Sequence, residues 1–336
     1  MQKLTKQEYL SIVLCMKDNI ICLFPGQGAQ YSGMCKDLYK NYACVRRVFE
    51  AVSSYSHTNM ANMCFESSSK ELIRPDKASL TTFTASMSMV EIIKDYFQCD
   101  LNNIFDFAVG HSMGQYSALC AVGSVSFKDA VVLLQERSIH SMQISGNNHG
   151  MICVVGLNRE KIECLIRSVQ DKGGAYVANY NLHDQFVISG KNIALDSLLE
   201  NAKKAGAKIA KKLAISIPAH CKLMASTQGP MRDSLKKVKI VPPKMPLFSN
   251  ETADVIMEPD QIKDSLVSQM CNGVNWVGIM DKFPRYHIVR SVELGPGKVL
   301  SGLVKRANVG CSVQPTGNVE NIKLVIKQLE RLVLQR

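Results

Sequence analysis

The stretch AVGHSMGQYSAL, residues 108–119, constrains the fold more than any other part of the chain. An apolar run, Ile104-Phe105-Asp106-Phe107-Ala108-Val109, reads as a buried strand. It leads into Gly110-His111-Ser112-Met113-Gly114, and a helical pattern follows to Gly123. A strand that turns straight into a helix needs residues without a Cβ on both sides of the apex, and it holds the apical residue in strain with its side chain exposed. Ser112 stands at that apex and is a candidate nucleophile. The pattern G-x-S-x-G is short enough to arise by chance, so its meaning depends on the rest of the chain.

The surrounding elements alternate. An apolar strand, Ile20–Phe24, opens into PGQGAQYSG; helices are expected near 36–53 and 79–97, and another from Ser126 to Gln143, where Ser126 and Asp129 have capping-box spacing. SGNNHG (145–150) breaks that helix. The texture then changes: MICVVG, REKIECLIRSVQ, AYVANY, QFVISG, ALDSLLENAKKAG and AKIAKKLAIS read in the order β-α-β-β-α-β, that of a ferredoxin-like unit. Alternation of strands and helices resumes after Pro218. The expected fold is therefore α/β: a large α/β-hydrolase-like domain with a mostly parallel sheet and an inserted ferredoxin-like small subdomain. The expected boundaries are an N-terminal extension over 1–19, the large catalytic domain over 20–147 and 217–336, and the small subdomain over 148–216.

No apolar run approaches the roughly 20 residues that span a bilayer, and the leading MQKLTKQEYLSIVLCMKDN is too short in its apolar part and too acidic for a good signal peptide. The twelve cysteines are scattered, with no C-x-x-C pair and no Cys/His cluster at metal-ligand spacing. They read as reduced thiols of a cytoplasmic protein without a metal or other cofactor. The formal charge of +11 is concentrated in AKKAGAKIAKK (202–212), LKKVKIVPPK (235–244) and around Lys298, Lys305 and Arg306. No aromatics interleave these clusters and no nucleic-acid motif accompanies them, so neither nucleic acid nor membrane is expected as partner. Such runs are commonly solvated faces; an acidic protein partner is the sharper alternative.

Of the candidate chemical groups, the glycine-rich loop at 25–33 lacks both the third glycine of a dinucleotide fingerprint, where Tyr31 stands, and the G-K-[ST] of a phosphate loop. It reads either as a structural turn or as a polar loop presenting Gln27 or backbone N–H groups at the carboxyl end of a strand, where α/β sheets form their sites. A serine nucleophile needs a base. Of seven histidines, His111 should point away from the Ser112 hydroxyl. His220 follows a strand and opens an amphipathic stretch, where a helix N-terminus keeps imidazole neutral. Cys221 reads as a bystander. Arg137 lies on a largely apolar helix face beside Leu133, Leu134, His140 and Ser141, with no carboxylate at helical spacing. A buried guanidinium needs a partner. That partner is either a carboxylate elsewhere in the fold or one on a substrate, and periodicity does not choose.

FPGQGAQ, AVGHSMGQYSAL, the arginine 25 residues after the serine, ANYNLHDQFVISG, IPAHCKLM, LVSQMCNGVNW and VELGPGKVLSGLVKR together resemble the malonyl-CoA:acyl-carrier-protein transacylase family, from about Ile20 to the C-terminus. The resemblance implies that Ser112 takes malonyl from malonyl-CoA as an ester and passes it to the phosphopantetheine thiol of acyl carrier protein, in ping-pong order, in type II fatty-acid synthesis. It implies His220 as the base, oriented by a carbonyl of the Gln269 segment rather than by a carboxylate. The backbone N–H groups of Gln27 and Met113 would form the oxyanion hole, and Arg137 would bind the free malonyl carboxylate. It implies no cofactor, an acidic carrier as partner and a monomer. The rival readings are an acyltransferase for another acyl-CoA, an esterase or thioesterase on the same elbow, and a silent carrier-binding module. Four positions depart from the family pattern: Gln115 replaces the usual glutamate, Ala219 stands where relatives carry Phe or Ser, Gly273 replaces a proline, and SGNNHG is atypical.

Overall fold

The computed structural model describes residues 17–144, 146 and 148–334. Residues 1–16 of the expected N-terminal extension, and Ser145 and Asn147 of SGNNHG, lie outside the described residues.

Strands β1 (Asn19–Phe24) and β2 (Phe107–Gly110) are buried at every position. Their alternate residues feed two different cores: Ile20, Cys22, Phe24 and Ala108 face one, Ile21, Leu23, Phe107 and Val109 the other. A strand covered on both faces reads as a continuous apolar run and belongs inside a parallel sheet. The chain then makes β3 (His149–Val155), β4 (Ala175–Leu182), β5 (Gln185–Lys191) and β6 (Ile209–Lys212), followed by β7 (Leu247–Phe248), β8 (Val255–Ile256), β9 (Ile288–Glu293) and β10 (Ser312–Pro315). The first sheet runs β10-β9-β1-β2-β7-β8 and is parallel except for the β7–β8 pair. β8, an antiparallel edge two residues long, is absent from the sequence reading, being too short for any periodicity.

The helix Pro75–Phe97 crosses the larger core and starts earlier than the expected 79, with proline at its first turn. It is buried nearly all round despite its hydroxyls, because Ser79, Thr81, Thr84 and Ser88 each donate to the carbonyl four residues back. The expected helix at 36–53 is two helices, Lys36–Asn41 and Ala43–Ser56, split at Tyr42 in extended conformation. Helix Phe127–Gln143 is capped by Ser126, whose hydroxyl accepts from the Asp129 N–H.

The second sheet, β4-β5-β3-β6, is antiparallel throughout. Together with helices Arg159–Arg167 and Asn192–Lys204, this is the strand order of a ferredoxin-like unit. One face packs Ile152, Val154, Phe186 and Ile188 against those helices. The other carries Met151 and Val187 and meets Leu213, Ile215 and Ala219. Among the described residues, no helix is long and apolar enough to cross a membrane.

Candidate active site

Three strands of the parallel sheet end at one place: β1 runs into the Pro25–Gln27 loop, β2 into Ser112 and β7 into Asn250. Ser112 has φ +53°, the left-handed region that costs a non-glycine residue energy. Its neighbours have no room for side chains. A Cβ on Gly110 would lie 2.0 Å from the Gly114 carbonyl carbon, and one on Gly114 would lie 2.2 Å from the Phe24 carbonyl oxygen.

Ser112 Oγ is 2.6 Å from His220 Nε2, and His220 Nδ1 donates to the Gln269 carbonyl at 2.7 Å. A carbonyl only accepts, so the proton of the neutral ring sits on Nδ1 and the Nε2 lone pair faces the serine. His220 is itself in the left-handed region, φ +60°, and buried. Its pKa is pushed down to about 3, chiefly by burial and next by the Arg137 cation, against the opposing bond to Gln269. The neutrality expected from a helix N-terminus therefore has a different cause, since His220 lies in a turn ahead of the short 3-10 helix Lys222–Thr227. Cys221 donates its thiol to the Pro218 carbonyl, and burial holds its pKa up at about 11, so it is protonated at neutral pH.

Arg137 is 8% exposed, and its Nη2 lies 3.4 Å from Ser112 Oγ. Its Nε has no partner, and among the described residues no carboxylate pairs with it. Burial lowers its pKa, but a guanidinium stays charged. Of the two partners left open by periodicity, the carboxylate within the fold is not found among the described residues. The backbone N–H groups of Gln27 and Met113 donate no hydrogen bond among the described residues, while the Gln27 side chain is turned away to the Ile73 carbonyl. His111 is engaged elsewhere, with Nε2 3.1 Å from Asn181 Oδ1 and its ring edge-on to Trp276. Among the described residues, no cluster of three His, Cys, Asp or Glu is placed to hold a metal.

Two buried amides are not legible in the sequence as parts of this site. Asn250 accepts from the Ser112 N–H at 2.7 Å and donates to the Gly110 carbonyl at 2.6 Å and to Gln115 Oε1 at 3.0 Å. Gln115 in turn donates to the Phe248 carbonyl at 3.2 Å. The strained turn is thus held from behind by two neutral side chains. Glutamine suits position 115 here because it offers one acceptor to Asn250 and one donor to Phe248, which a carboxylate does not. The only sequence sign was an asparagine at the end of an expected strand, MPLFSN. Asn250→Ala is expected to leave three polar groups unmatched, lowering stability by about 1–3 kcal/mol and slowing acylation of Ser112 about 10–100-fold. Thermal melts and single-turnover rates check both; a variant with wild-type acylation would show that the turn holds itself.

The second sheet also reaches the site. Ser189 on β5 donates to the Ala219 carbonyl at 2.6 Å, immediately before His220. Beyond Gln269, Val274 exchanges backbone hydrogen bonds with β4, its N–H to Ala178 and its carbonyl to the Tyr180 N–H, so this segment continues the sheet's edge. His220 and the Gln269 carbonyl that orients it are therefore both attached to the inserted unit.

The chain matches the family model described as acyl transferase domain over residues 21–276. It is 33% identical over 313 residues to the malonyl CoA-acyl carrier protein transacylase of Bacillus subtilis, covering 93% of this chain and 97% of that protein. The corresponding protein of Haemophilus influenzae is 30% identical, covering 84% of this chain and 90% of that protein. Among solved structures, the malonyl CoA-acyl carrier protein transacylase of Coxiella burnetii superposes with a TM-score of 0.88 at 28% identity, covering 94% and 99% of the two chains. A malonyl-transacylase solved in complex with its type II polyketide acyl-carrier protein gives a TM-score of 0.88 at 26% identity, covering 92% and 99%. With the serine elbow, its histidine and the unpaired arginine set on that fold, the chain belongs to the malonyl CoA-acyl carrier protein transacylase family.

Proposed function

We propose that this protein transfers malonyl from malonyl-CoA to the phosphopantetheine thiol of an acyl carrier protein, through a malonyl ester on Ser112, in type II fatty-acid synthesis. The observation that carries this reading is Arg137, a buried cation without a carboxylate partner, 3.4 Å from the serine oxygen. A malonyl group presents to such a site a thioester carbonyl for the nucleophile and a free carboxylate for the guanidinium, which can hold it bidentately.

In the first half-reaction His220 Nε2 takes the Ser112 proton as Oγ attacks the thioester carbonyl. The oxyanion is received by the Gln27 and Met113 N–H groups, donors worth roughly 3 kcal/mol each. Collapse breaks the C–S bond, and His220 returns the proton to the departing CoA thiolate. In the second half-reaction the carrier thiol enters, His220 removes its proton, and the thiolate attacks the ester. Collapse releases Ser112, which His220 reprotonates. The Gln269 carbonyl keeps Nδ1–H in place through both halves, a task that an anion performs in ordinary triads.

The enzyme is read as a cytoplasmic monomer. In support, every cysteine among the described residues is a free thiol, and one chain supplies all of Ser112, His220, Gln269 and Arg137.

Intact-mass measurement after brief exposure to equimolar malonyl-CoA and acetyl-CoA tests the reading. A malonyl adduct in large excess over acetyl is expected. Acetyl in excess would mean an acyltransferase of different specificity, and no adduct would remove the covalent mechanism.

A further inference from the structure

Resting on the proposed transfer through Ser112 and His220, we infer that Ser189 is a positioning residue for the reaction: its hydroxyl locks the Ala219–His220 peptide in the one orientation that presents the His220 ring to Ser112.

The argument begins with strain. His220 has φ +60°. That region is costly for a residue with a Cβ, and such a conformation persists only where its surroundings over-determine it. A half-turn of the Ala219–His220 peptide plane about the line joining its two Cα atoms would carry the His220 φ to about −120°, in the broad extended region open to any residue. The relaxed backbone is thus one peptide flip away. Among the described residues, no backbone–backbone hydrogen bond involves residues 214–220, so the main chain does not prevent that flip. The Cys221 thiol spans the turn but holds the Pro218 carbonyl, one peptide too early. The Ala219 carbonyl itself accepts from Ser189 Oγ at 2.6 Å. A flip would turn that oxygen away. Ser189 is fully buried, and among the described residues its hydroxyl donates to no other acceptor. The flipped state would therefore strand a buried donor, which opposes the gain from relaxing φ.

The hydroxyl is also attached to a firm reference. β5 lies inside the second sheet, and Ser189 is opposite Met151 on β3 and Tyr176 on β4. The Gln269 side of the site is tied to the same place. Val274 bonds to Ala178 and Tyr180 of β4, and Gly273 packs so close that a Cβ there would lie 2.7 Å from the Val177 carbonyl oxygen. The two ends of the 2.7 Å bond from His220 Nδ1 to the Gln269 carbonyl are thus referred to neighbouring strands of one sheet. Ser112 comes from the other sheet, and only 2.6 Å separates its oxygen from Nε2. A ring released at Ala219 would lose its aim at the serine, at the carbonyl, or at both. A misplacement of about 1 Å is enough to cost on the order of a hundred-fold in rate.

Ser189→Ala removes one oxygen from a central strand, so the fold should survive, with a melting temperature within a few degrees of the wild type. The single-turnover rate of Ser112 acylation at saturating malonyl-CoA is expected to fall about 10–30-fold, while the concentration giving half the maximal rate stays within about two-fold. The preference for malonyl over acetyl, assigned to Arg137, should not change. Ser189→Thr keeps the hydroxyl on a side chain suited to a strand and should recover to within about three-fold of the wild type. The direct readout is the Nδ1–H proton of His220. Held against the Gln269 carbonyl, it should give a downfield proton NMR line that is missing from His220→Ala. That line should broaden or vanish in Ser189→Ala and return in Ser189→Thr. An acylation rate within about two-fold of the wild type in Ser189→Ala would overturn the inference. A slowed rate with an unaltered His220 line would overturn it as well, because Ser189 would then act on something other than the base.

Labelling of Ser112 by phenylmethylsulfonyl fluoride separates this role from the proposed function, since the probe needs an activated serine and no malonyl. Its rate should fall in Ser189→Ala by the same factor as acylation, and equal labelling of variant and wild type would overturn the inference. If wild type is labelled but takes no malonyl from malonyl-CoA, the failure lies with the proposed function, and the two labelling rates still decide the role of Ser189.

Discussion

Ser112→Ala is expected to take up no acyl group from malonyl-CoA and to lose at least about ten-thousand-fold in kcat, since removing one member of a nucleophile–base unit disables the whole unit. The expectation is specific because the alternative nucleophile in the same loop is disarmed. The Cys221 thiol donates a hydrogen bond to the Pro218 carbonyl and is held protonated. Among the described residues, His220 Nε2 faces only the serine oxygen, at 2.6 Å. The measurement is intact mass together with steady-state transfer. An adduct on Ser112→Ala, mapped to any other residue, would refute the assignment of the nucleophile.

The second large effect is at Arg137. In the free protein its charge is buried with its Nε unpartnered, a state that is costly until an anion arrives. Arg137→Ala is expected to lower kcat/KM for malonyl-CoA about a thousand-fold, to leave acetyl-CoA nearly unaffected, and so to invert the preference between them. Arg137→Lys should recover little, since a point charge does not replace a two-pronged donor. A second readout separates this role from a structural one. His220 must be neutral to act, and its pKa is held near 3 by burial and then by the Arg137 charge. The acid limb of kcat/KM in the wild type is therefore expected well below the ordinary histidine range near 6.5, leaving the rate level from pH 8 to about pH 5. Without the neighbouring cation His220 gains protons more readily, so the limb should move to higher pH in Arg137→Ala. Unchanged selectivity together with an unmoved limb would show that Arg137 neither binds the substrate nor bears on the base.

Much of this was legible in the sequence for physical reasons that can be named. Gly110 and Gly114 announce a turn in which no Cβ fits, and the apolar run at Ile20–Phe24 announces a strand covered on both faces; of the run Ile104–Val109 only Phe107–Val109 is strand, because Ile104 closes the 3-10 helix Leu101–Asn103 and the chain bends through Asp106. Arg137 stood out because helical spacing offered it no acid. Other features were hidden by equally definite causes. Four serine and threonine hydroxyls of helix Pro75–Phe97 bond to its own backbone, so a deeply buried helix presents a half-polar sequence with weak periodicity. The Asn250–Gln115 support joins residues 135 positions apart, and amides carry no sequence signal of the kind that glycines or unpaired charges do. The cause of His220 neutrality lay in burial by distant elements, which a local reading replaced with a helix end. The attachment of Val274 to β4 depends on how the inserted unit docks, and no local pattern encodes that.

Trp276 is the single tryptophan of the chain, fully buried, with its indole 5.2 Å from the His111 imidazole. His111 is covalently adjacent to Ser112, and the tryptophan lies seven residues beyond Gln269 on the segment that carries the orienting carbonyl. All indole emission thus arises from one ring placed behind Ser112, with no second fluorophore of its kind to dilute it. The enzyme carries its own optical probe: loading and unloading of the acyl group can be followed in real time by stopped-flow fluorescence, without labelling either substrate.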